Sequence, residues 1–224
     1  MSLNPFVCPL SQYIRVKKGE TLSMTLKTFT LFRHGQTDWN LERRCQGHTN
    51  IALNEHGRQQ ARGLADFLKG FPLEVIFSSD LDRARETAEW VSKHHSGIEV
   101  RTTNLLREGH LGEAEGMKID EIKEKFGKER WDSFRHQNGN WLDLSFPGGE
   151  TRRESLGRVR KFVEGLIEHP EQNIALSTHG GVMRSLLHSF LPDGHPALDI
   201  PNCVVYQLIF EAGEWQVKGP IFPA

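Results

Sequence analysis

Two short apolar, β-favouring runs in this chain end in the same way. The run 28–32 leads into Arg33-His34-Gly35, and the run 174–178 leads into His179-Gly180-Gly181. Each reads as a buried strand that hands a histidine to a glycine turn. Open α/β sheets bind ligands outside the carboxyl ends of their strands, so two strand-terminal histidines are expected to meet in one cleft.

The rest of the chain alternates in the manner such a sheet requires. Asn54 caps a helix in which Gly57 stands where a capping-box acid would; Ala61, Leu64, Ala65 and Leu68 form its apolar stripe, and Gly70 ends it. A strand over 73–77 follows, then Ser78-Ser79-Asp80 as capping groups for a helix over 81–95, and a weaker strand over 99–102. Between 117 and 150 the aromatics Trp131, Phe134, Trp141 and Phe146 mix with Gly127, Gly139 and Pro147-Gly148-Gly149. This stretch predicts one or two short helices and a loop lying over the sheet. Glu150 or Thr151 then opens a long helix carrying Leu156, Val159, Phe162, Val163, Leu166 and Ile167 at helical spacing and ending at His169-Pro170. A glycine-opened helix to about residue 191 and a hairpin over 203–210 and 215–218, joined through Ala212-Gly213, complete the pattern. The expected fold is α/β: a three-layer α/β/α sandwich with a mostly parallel sheet, an antiparallel edge and a small inserted helical cap. Residues 1–26 read as an N-terminal extension and 27–224 as one domain, with the cap at about 117–150.

Composition narrows the function. With 28 basic and 29 acidic side chains, no global charge draws the chain to nucleic acid or to an anionic membrane, so any anion site must be a local gathering of arginines. Cys8, Cys45 and Cys203 have neither zinc-ligand nor disulfide-framework spacing, which fits a reducing, cytoplasmic setting. No apolar run approaches the roughly eighteen residues of a membrane span. The edge left by the hairpin or the N-terminal extension offers a surface for pairing with a second copy, a homodimer.

Four segments carry the candidate chemistry. Arg33 beside His34 keeps the imidazole neutral and nucleophilic while the guanidinium holds an anion, and Gly35 is expected to let backbone approach a ligand oxygen. Arg83 and Arg85 cannot share a helix face; Arg83, nearer the helix N-terminus, is expected in the cleft, where free N–H groups also favour an anion. Glu108, Glu113 and Glu115 lie in a glycine-broken loop that can supply a general acid. A bound phosphate dianion would raise the pKa of one of them. His179 is expected as an imidazolium that, with Arg33 and Arg83, stabilises transferred phosphoryl charge without a metal. His110 reads as a pocket residue or as a loop histidine held by backbone. The other histidines, His48 among them, read as surface or structural. Trp131, Phe134 and Trp141 are expected mainly to anchor the insertion. Arg152, Arg153, Lys118 and Arg135 could select an acidic substrate, but charged helix starts are usually solvated.

Taken in order, Arg33-His34-Gly35, the 79–87 segment with Arg83, Glu108 and Thr178-His179-Gly180 resemble the histidine phosphatase superfamily, which includes the cofactor-dependent phosphoglycerate mutases. The match runs from about Phe29 to the C-terminal hairpin. The resemblance implies that His34 becomes a covalent phosphohistidine, that Glu108 donates the proton, and that Arg33, Arg83, His179 and Gly180 bind the phosphoryl group with Asn40 as a further contact. Mutases of this family carry an asparagine-serine pair after the second histidine-glycine and a longer, proline-rich insertion. Here Gly181-Val182-Met183-Arg184 and a shorter insertion stand instead, so the broad-specificity phosphatase branch is the nearer likeness, although that branch usually has serine where Thr151 stands. The expectation is a phosphatase, with neither metal nor cofactor, acting on a small phosphorylated metabolite. Mutase-type transfer and a phosphoprotein-binding regulator with little turnover are the alternatives.

Overall fold

The computed structural model describes residues 26–136 and 140–222. The expected N-terminal extension therefore lies, apart from Leu26, outside the described residues, as does Gly139. In chain order the elements are β1 (Lys27–Arg33), α1 (Asp38–Leu41), α2 (Glu55–Leu68), β2 (Val75–Ser79), α3 (Asp82–Ser92), β3 (Val100–Thr103), α4 (Ile119–Phe126), α5 (Lys128–His136), α6 (Arg152–Gly165), β4 (Asn173–Thr178), α7 (Gly180–His188), β5 (Val205–Glu211) and β6 (Glu214–Phe222). The strands form one sheet in the order β3-β2-β4-β1-β5-β6. The first four are mutually parallel, whereas β5 and β6 run antiparallel at the edge.

Strands β1 and β4 are buried on both faces, which is why they read as nearly continuous apolar runs. Phe29 and Leu31 of β1, with Ile174 and Leu176 of β4, pack against Val159 and Val163 of α6 and Val182 and Leu186 of α7. Phe32 and Ala175 face the other way, onto Leu64 and Leu68 of α2 and Ala88 and Val91 of α3. Two helical layers on one sheet make the expected sandwich. A third, smaller core of Leu111, Ala114, Ile122, Trp131, Phe134 and Phe146 holds the cap, α4 and α5, together. No helix among the described residues is long and apolar enough to cross a membrane.

Several boundaries differ from the sequence reading for local reasons. β2 starts at Val75 because residues 71–73 turn, Leu73 N–H donating to the Phe71 carbonyl. α3 starts at Asp82 without a side-chain cap; Ser79 Oγ is spent on the Leu81 N–H instead. α7 ends at His188, three residues early, and Cys203 stands outside β5 with a left-handed φ of 59°. The hairpin turns on Ala212 and Gly213, both at positive φ, as a two-residue turn matched to strand twist demands.

Gly35 has a different use from the one expected. A Cβ there would lie 2.4 Å from the Gly57 carbonyl oxygen, and a Cβ at Gly57 would lie 2.0 Å from that of Gln36. The two glycines thus let the first turn of α2 rest directly on the backbone that follows His34. Gly63, on the exposed face of the same helix, has nothing within 4 Å. Gly57→Ala is therefore expected to destabilise the protein by about 2 kcal/mol or more, whereas Gly63→Ala stabilises it by about 0.5–1 kcal/mol. Urea titration of the two variants checks this contrast in sign.

Candidate active site

The parallel register of β1 and β4 sets Arg33 opposite Thr178, so the next residue of each strand is a histidine. The His34 N–H donates to the Thr178 carbonyl at 3.1 Å, and the two imidazole centroids lie 5.2 Å apart. Both side chains are buried. His34 Nδ1 sits 2.7 Å from the Gly35 carbonyl oxygen; a carbonyl only accepts, so Nδ1 carries the proton and Nε2 keeps its lone pair. Burial, reinforced by Arg33 and Arg83, holds this imidazole well below the usual histidine range and therefore neutral.

His179 departs from the role expected of it. Arg83 Nε–H donates to His179 Nδ1 at 3.2 Å, which an imidazolium could not accept. Its Nε2–H is left to donate to Ser79 Oγ at 2.8 Å. Burial, then Arg83, the His34 ring and Arg33 push its pKa well down. In this structure His179 is a neutral ring that aims the Arg83 guanidinium.

Arg83, on the first turn of α3, is buried and donates to the carbonyls of Thr49 (2.9 Å) and Gly47 (2.8 Å). Arg85 turns outward to Asp82 and Glu89. Two N–H groups at the N-terminus of α3 are already taken: Leu81 N–H donates to Ser79 Oγ and Asp82 N–H to Asn50 Oδ1. Arg33 donates to the Ile200 carbonyl at 2.7 Å, and its Nε is buried without a partner among the described residues.

The three candidate acids separate cleanly. Glu113 is exposed beside Lys125. Glu115 accepts from His48 N–H, Thr49 N–H and Oγ1, and Leu111 N–H, and so shapes the 46–49 loop. Glu108 alone of the three lines the cleft. Its carboxylate sits on the N-terminus of α7, accepting from Gly181 N–H (2.8 Å) and Val182 N–H (2.9 Å). Burial raises its pKa, but the charge of Arg152, the N–H groups of Gly181 and Gly109 and the charge of Arg83 outweigh that and hold it low. Gly181 makes this seat: a Cβ there would meet Glu108 Oε1 at 2.6 Å and Arg152 Nη1 at 2.7 Å.

Asn40 and Gly180 also line the cleft. Asn40 Oδ1 accepts from Thr37 and from Asn202 Nδ2, which also donates to the His34 carbonyl. His110 is not among the lining residues; its ring packs 5.0 Å from that of His48 with Glu115 3.7 Å away. His48 in turn donates from Nε2 to the Glu108 carbonyl, a brace for the acid loop. Arg152, Arg184, Arg135 and Gln46 line the cleft as well. Arg152 is buried and lies over the Phe134 ring at 3.8 Å, whereas its neighbour Arg153 pairs with Asp143 at the surface. Trp131 and Phe134 are both cap core and cleft wall; Trp141 packs against His188 instead. Arg184 was legible in principle, since it stands four residues after Gly180 on the same helix face and long helical side chains lean toward the N-terminus. Cys45 also lines the cleft, but burial pushes its thiol up to about 12, which keeps it protonated.

A neutral imidazole among guanidinium groups with one buried carboxylate, at the carboxyl end of a parallel sheet, defines an enzyme that works on phosphoryl groups. Residues 29–220 match the histidine phosphatase superfamily, branch 1, and the chain belongs to that superfamily as an enzyme of phosphomonoesterase or mutase type. It is 34% identical over 190 residues to phosphoglycerate mutase-like protein 4 of Arabidopsis thaliana, covering 83% of this chain and 81% of the relative. It is 29% identical over 192 residues to the uncharacterized phosphatase PhoE of Bacillus subtilis (strain 168), covering 84% and 91%. A mycobacterial glucosyl-3-phosphoglycerate phosphatase solved with VO3 superposes with a TM-score of 0.74 at 29% identity, over 86% of this chain and 98% of that one.

Two histidines held neutral by burial couple stability to pH. The unfolded chain protonates them near 6.5 and the folded chain does not, so their contribution is complete above that pH and is lost as pH falls below it. Unfolding free energy is expected to be flat near pH 7.5 and to fall below about 6.5 by about 1.4 kcal/mol per pH unit for each histidine. Urea midpoints from pH 8 to about 5 test this, with His179→Gln expected to lower the slope by about 1.4 kcal/mol per pH unit.

Proposed function

We propose that this chain is a metal-independent phosphatase that hydrolyses small phosphate monoesters through a covalent phosphohistidine at His34. The observation that carries this reading is the hydrogen bond from His34 Nδ1 to the Gly35 carbonyl. It leaves Nε2 as the nucleophilic nitrogen, and the carbonyl stabilises the positive charge the ring gains on attack. Nε2 forms a bond to phosphorus as the ester P–O bond breaks, and Glu108, as the carboxylic acid, gives its proton to the leaving oxygen. Water then attacks phosphorus, its proton passes to the Glu108 carboxylate, the N–P bond breaks and inorganic phosphate leaves.

Glu108 must gain a proton for the first step although it is ionised in this structure. A phosphate dianion bound between Arg33 and Arg83 offsets the cations that hold its pKa low. Those guanidinium groups, held by backbone carbonyls rather than carboxylates, retain their charge for the phosphoryl oxygens in the transition state. A cleft of about 200 Å³ with cap residues on its wall suits a small metabolite better than a segment of folded protein.

Phosphate from a labelled ester is expected to remain on the protein after an alkaline quench, and to be absent in His34→Ala; turnover by that variant would overturn the mechanism. Glu108→Gln is expected to lower kcat on an alkyl phosphate by about 10²–10⁴. The loss should be smaller on 4-nitrophenyl phosphate, whose leaving oxygen needs no proton. Chelation with EDTA should leave both rates unchanged. Isomerised product from a phosphoglycerate, in place of inorganic phosphate, would assign mutase-type transfer instead.

A further inference from the structure

Asn202 does not line the cleft, yet it touches two residues that do. Its Nδ2 donates to the His34 carbonyl at 2.9 Å and to Asn40 Oδ1 at 3.2 Å, one hydrogen to each. A carbonyl only accepts, so a single orientation of this amide satisfies both contacts; turned over, its Oδ1 would face two oxygens. Asn40 is oriented in the same way. Its Oδ1 also accepts from the Thr37 N–H at 3.2 Å and from Thr37 Oγ1 at 3.3 Å. With these donors gathered on the oxygen, the Nδ2 end of Asn40 is left for the cleft. Both bonds from Thr37 are local, made within the first turn of α1. Asn202 is the donor that ties the Asn40 amide to the strand end carrying His34.

The backbone around Asn202 is built for this contact. Cys203, the next residue, takes a left-handed φ of 59° although it is not glycine, a conformation that persists where the surroundings over-determine it. Its N–H donates to the Arg33 carbonyl at 3.2 Å and to the His34 carbonyl at 3.4 Å. The same connection between α7 and β5 supplies the Leu198 carbonyl to Arg184 Nε and the Ile200 carbonyl to Arg33 Nη1. One short stretch, 198–203, therefore grips Arg184, Arg33, His34 and Asn40. The contacts from 198, 200 and 203 are made by main chain, which most side chains permit. The contact to Asn40 requires the amide of Asn202.

We propose that Asn202 is a positioning residue that acts through Asn40: by bridging the His34 carbonyl to Asn40 Oδ1, it aims Asn40 Nδ2–H at the phosphoryl group held beside His34. This rests on the phosphatase reading of the site and deepens it. His34, Glu108 and the arginines bind and react, while Asn202 fixes one phosphoryl donor relative to the strand that carries the nucleophile. A donor aimed in advance stabilises charge in the transition state without reorganising during the reaction. An amide free to turn over would present its oxygen to the anion as readily as its nitrogen.

Coupling between the two asparagines is the test. Affinity for inorganic phosphate is measured by calorimetry, and kcat/KM on 4-nitrophenyl phosphate by rate, for the unsubstituted protein, Asn202→Ala, Asn202→Asp, Asn40→Ala and the two double variants. Asn202→Ala is expected to lower both quantities at least about fivefold, but by less than about twofold once Asn40 is alanine. Asn202→Asp keeps the shape of the side chain and takes the place of Asn202→Ala in the comparison if that variant does not fold. As a carboxylate it cannot donate, so its loss is expected to be at least as large and to shrink in the same way without Asn40. Aspartate behaving like asparagine would assign Asn202 to packing alone, and undiminished losses in the Asn40→Ala background would show that it does not act through Asn40; either result overturns the proposal. Coupled losses of phosphate affinity in a protein that turns over no ester would sustain it while removing the phosphatase reading. Turnover of the ester with the two losses simply multiplying would do the reverse.

Discussion

The pairing of β1 with β4 is the contact on which the site depends. These two strands are distant in sequence, yet their parallel register puts Arg33 across from Thr178 and makes the next residue of each a histidine. β2, on the other side of β4, ends in Ser79 one residue beyond the Ser78–Ser177 pair, which brings its hydroxyl to His179 Nε2. Three adjacent strand ends thus supply two neutral imidazoles and a hydroxyl in one row. Strand ends are rigid platforms: Phe29, Leu31, Ile174 and Leu176 are fully buried beneath them, so the imidazoles are positioned by the same packing that stabilises the domain.

Charge in the cleft follows from burying guanidinium groups against carbonyls. Arg33, Arg83 and Arg184 donate to the backbone of Ile200, of Thr49 and Gly47, and of Leu198. Carbonyl oxygens satisfy the N–H groups without cancelling the charge. Both histidines are driven neutral by that environment, and the one carboxylate, Glu108, is held ionised on the N-terminus of α7. At the start of α3 the N–H groups of Leu81 and Asp82 are occupied by side chains; at the start of α7 those of Gly181 and Val182 donate to the protein's own carboxylate, Glu108. The positive charge of the cleft is carried by the arginines that line it.

Much of this was legible from the linear pattern. The buried runs before His34 and His179, the Asn54 cap, the stripe of α2 and the Ala212-Gly213 turn all follow from local periodicity and turn chemistry, and each appears in the fold. The cap was legible as an insertion of mixed aromatics but not as a wall of the cleft, because Trp131 and Phe134 face their own small core on one side and the cleft on the other. Arg152 was misread for a similar reason. A charged residue at a helix start is solvated by default, and only the missing side chain at Gly181, from another element, opens room for it.

The sequence by itself determined the α/β sandwich, the strand-end histidines, the choice of Arg83 over Arg85 and a loop containing the acid, since each depends on residues within a few positions of one another. Tertiary structure alone decided which acid reaches the cleft, that His179 is neutral, that Gly35 serves helix packing, and that Arg152, Arg184 and Arg135 converge. Those outcomes depend on what lies across a gap: a carbonyl, a ring or a second guanidinium from a distant segment. Protonation and burial are set by such neighbours in space, and their identity is not encoded in spacing along the chain.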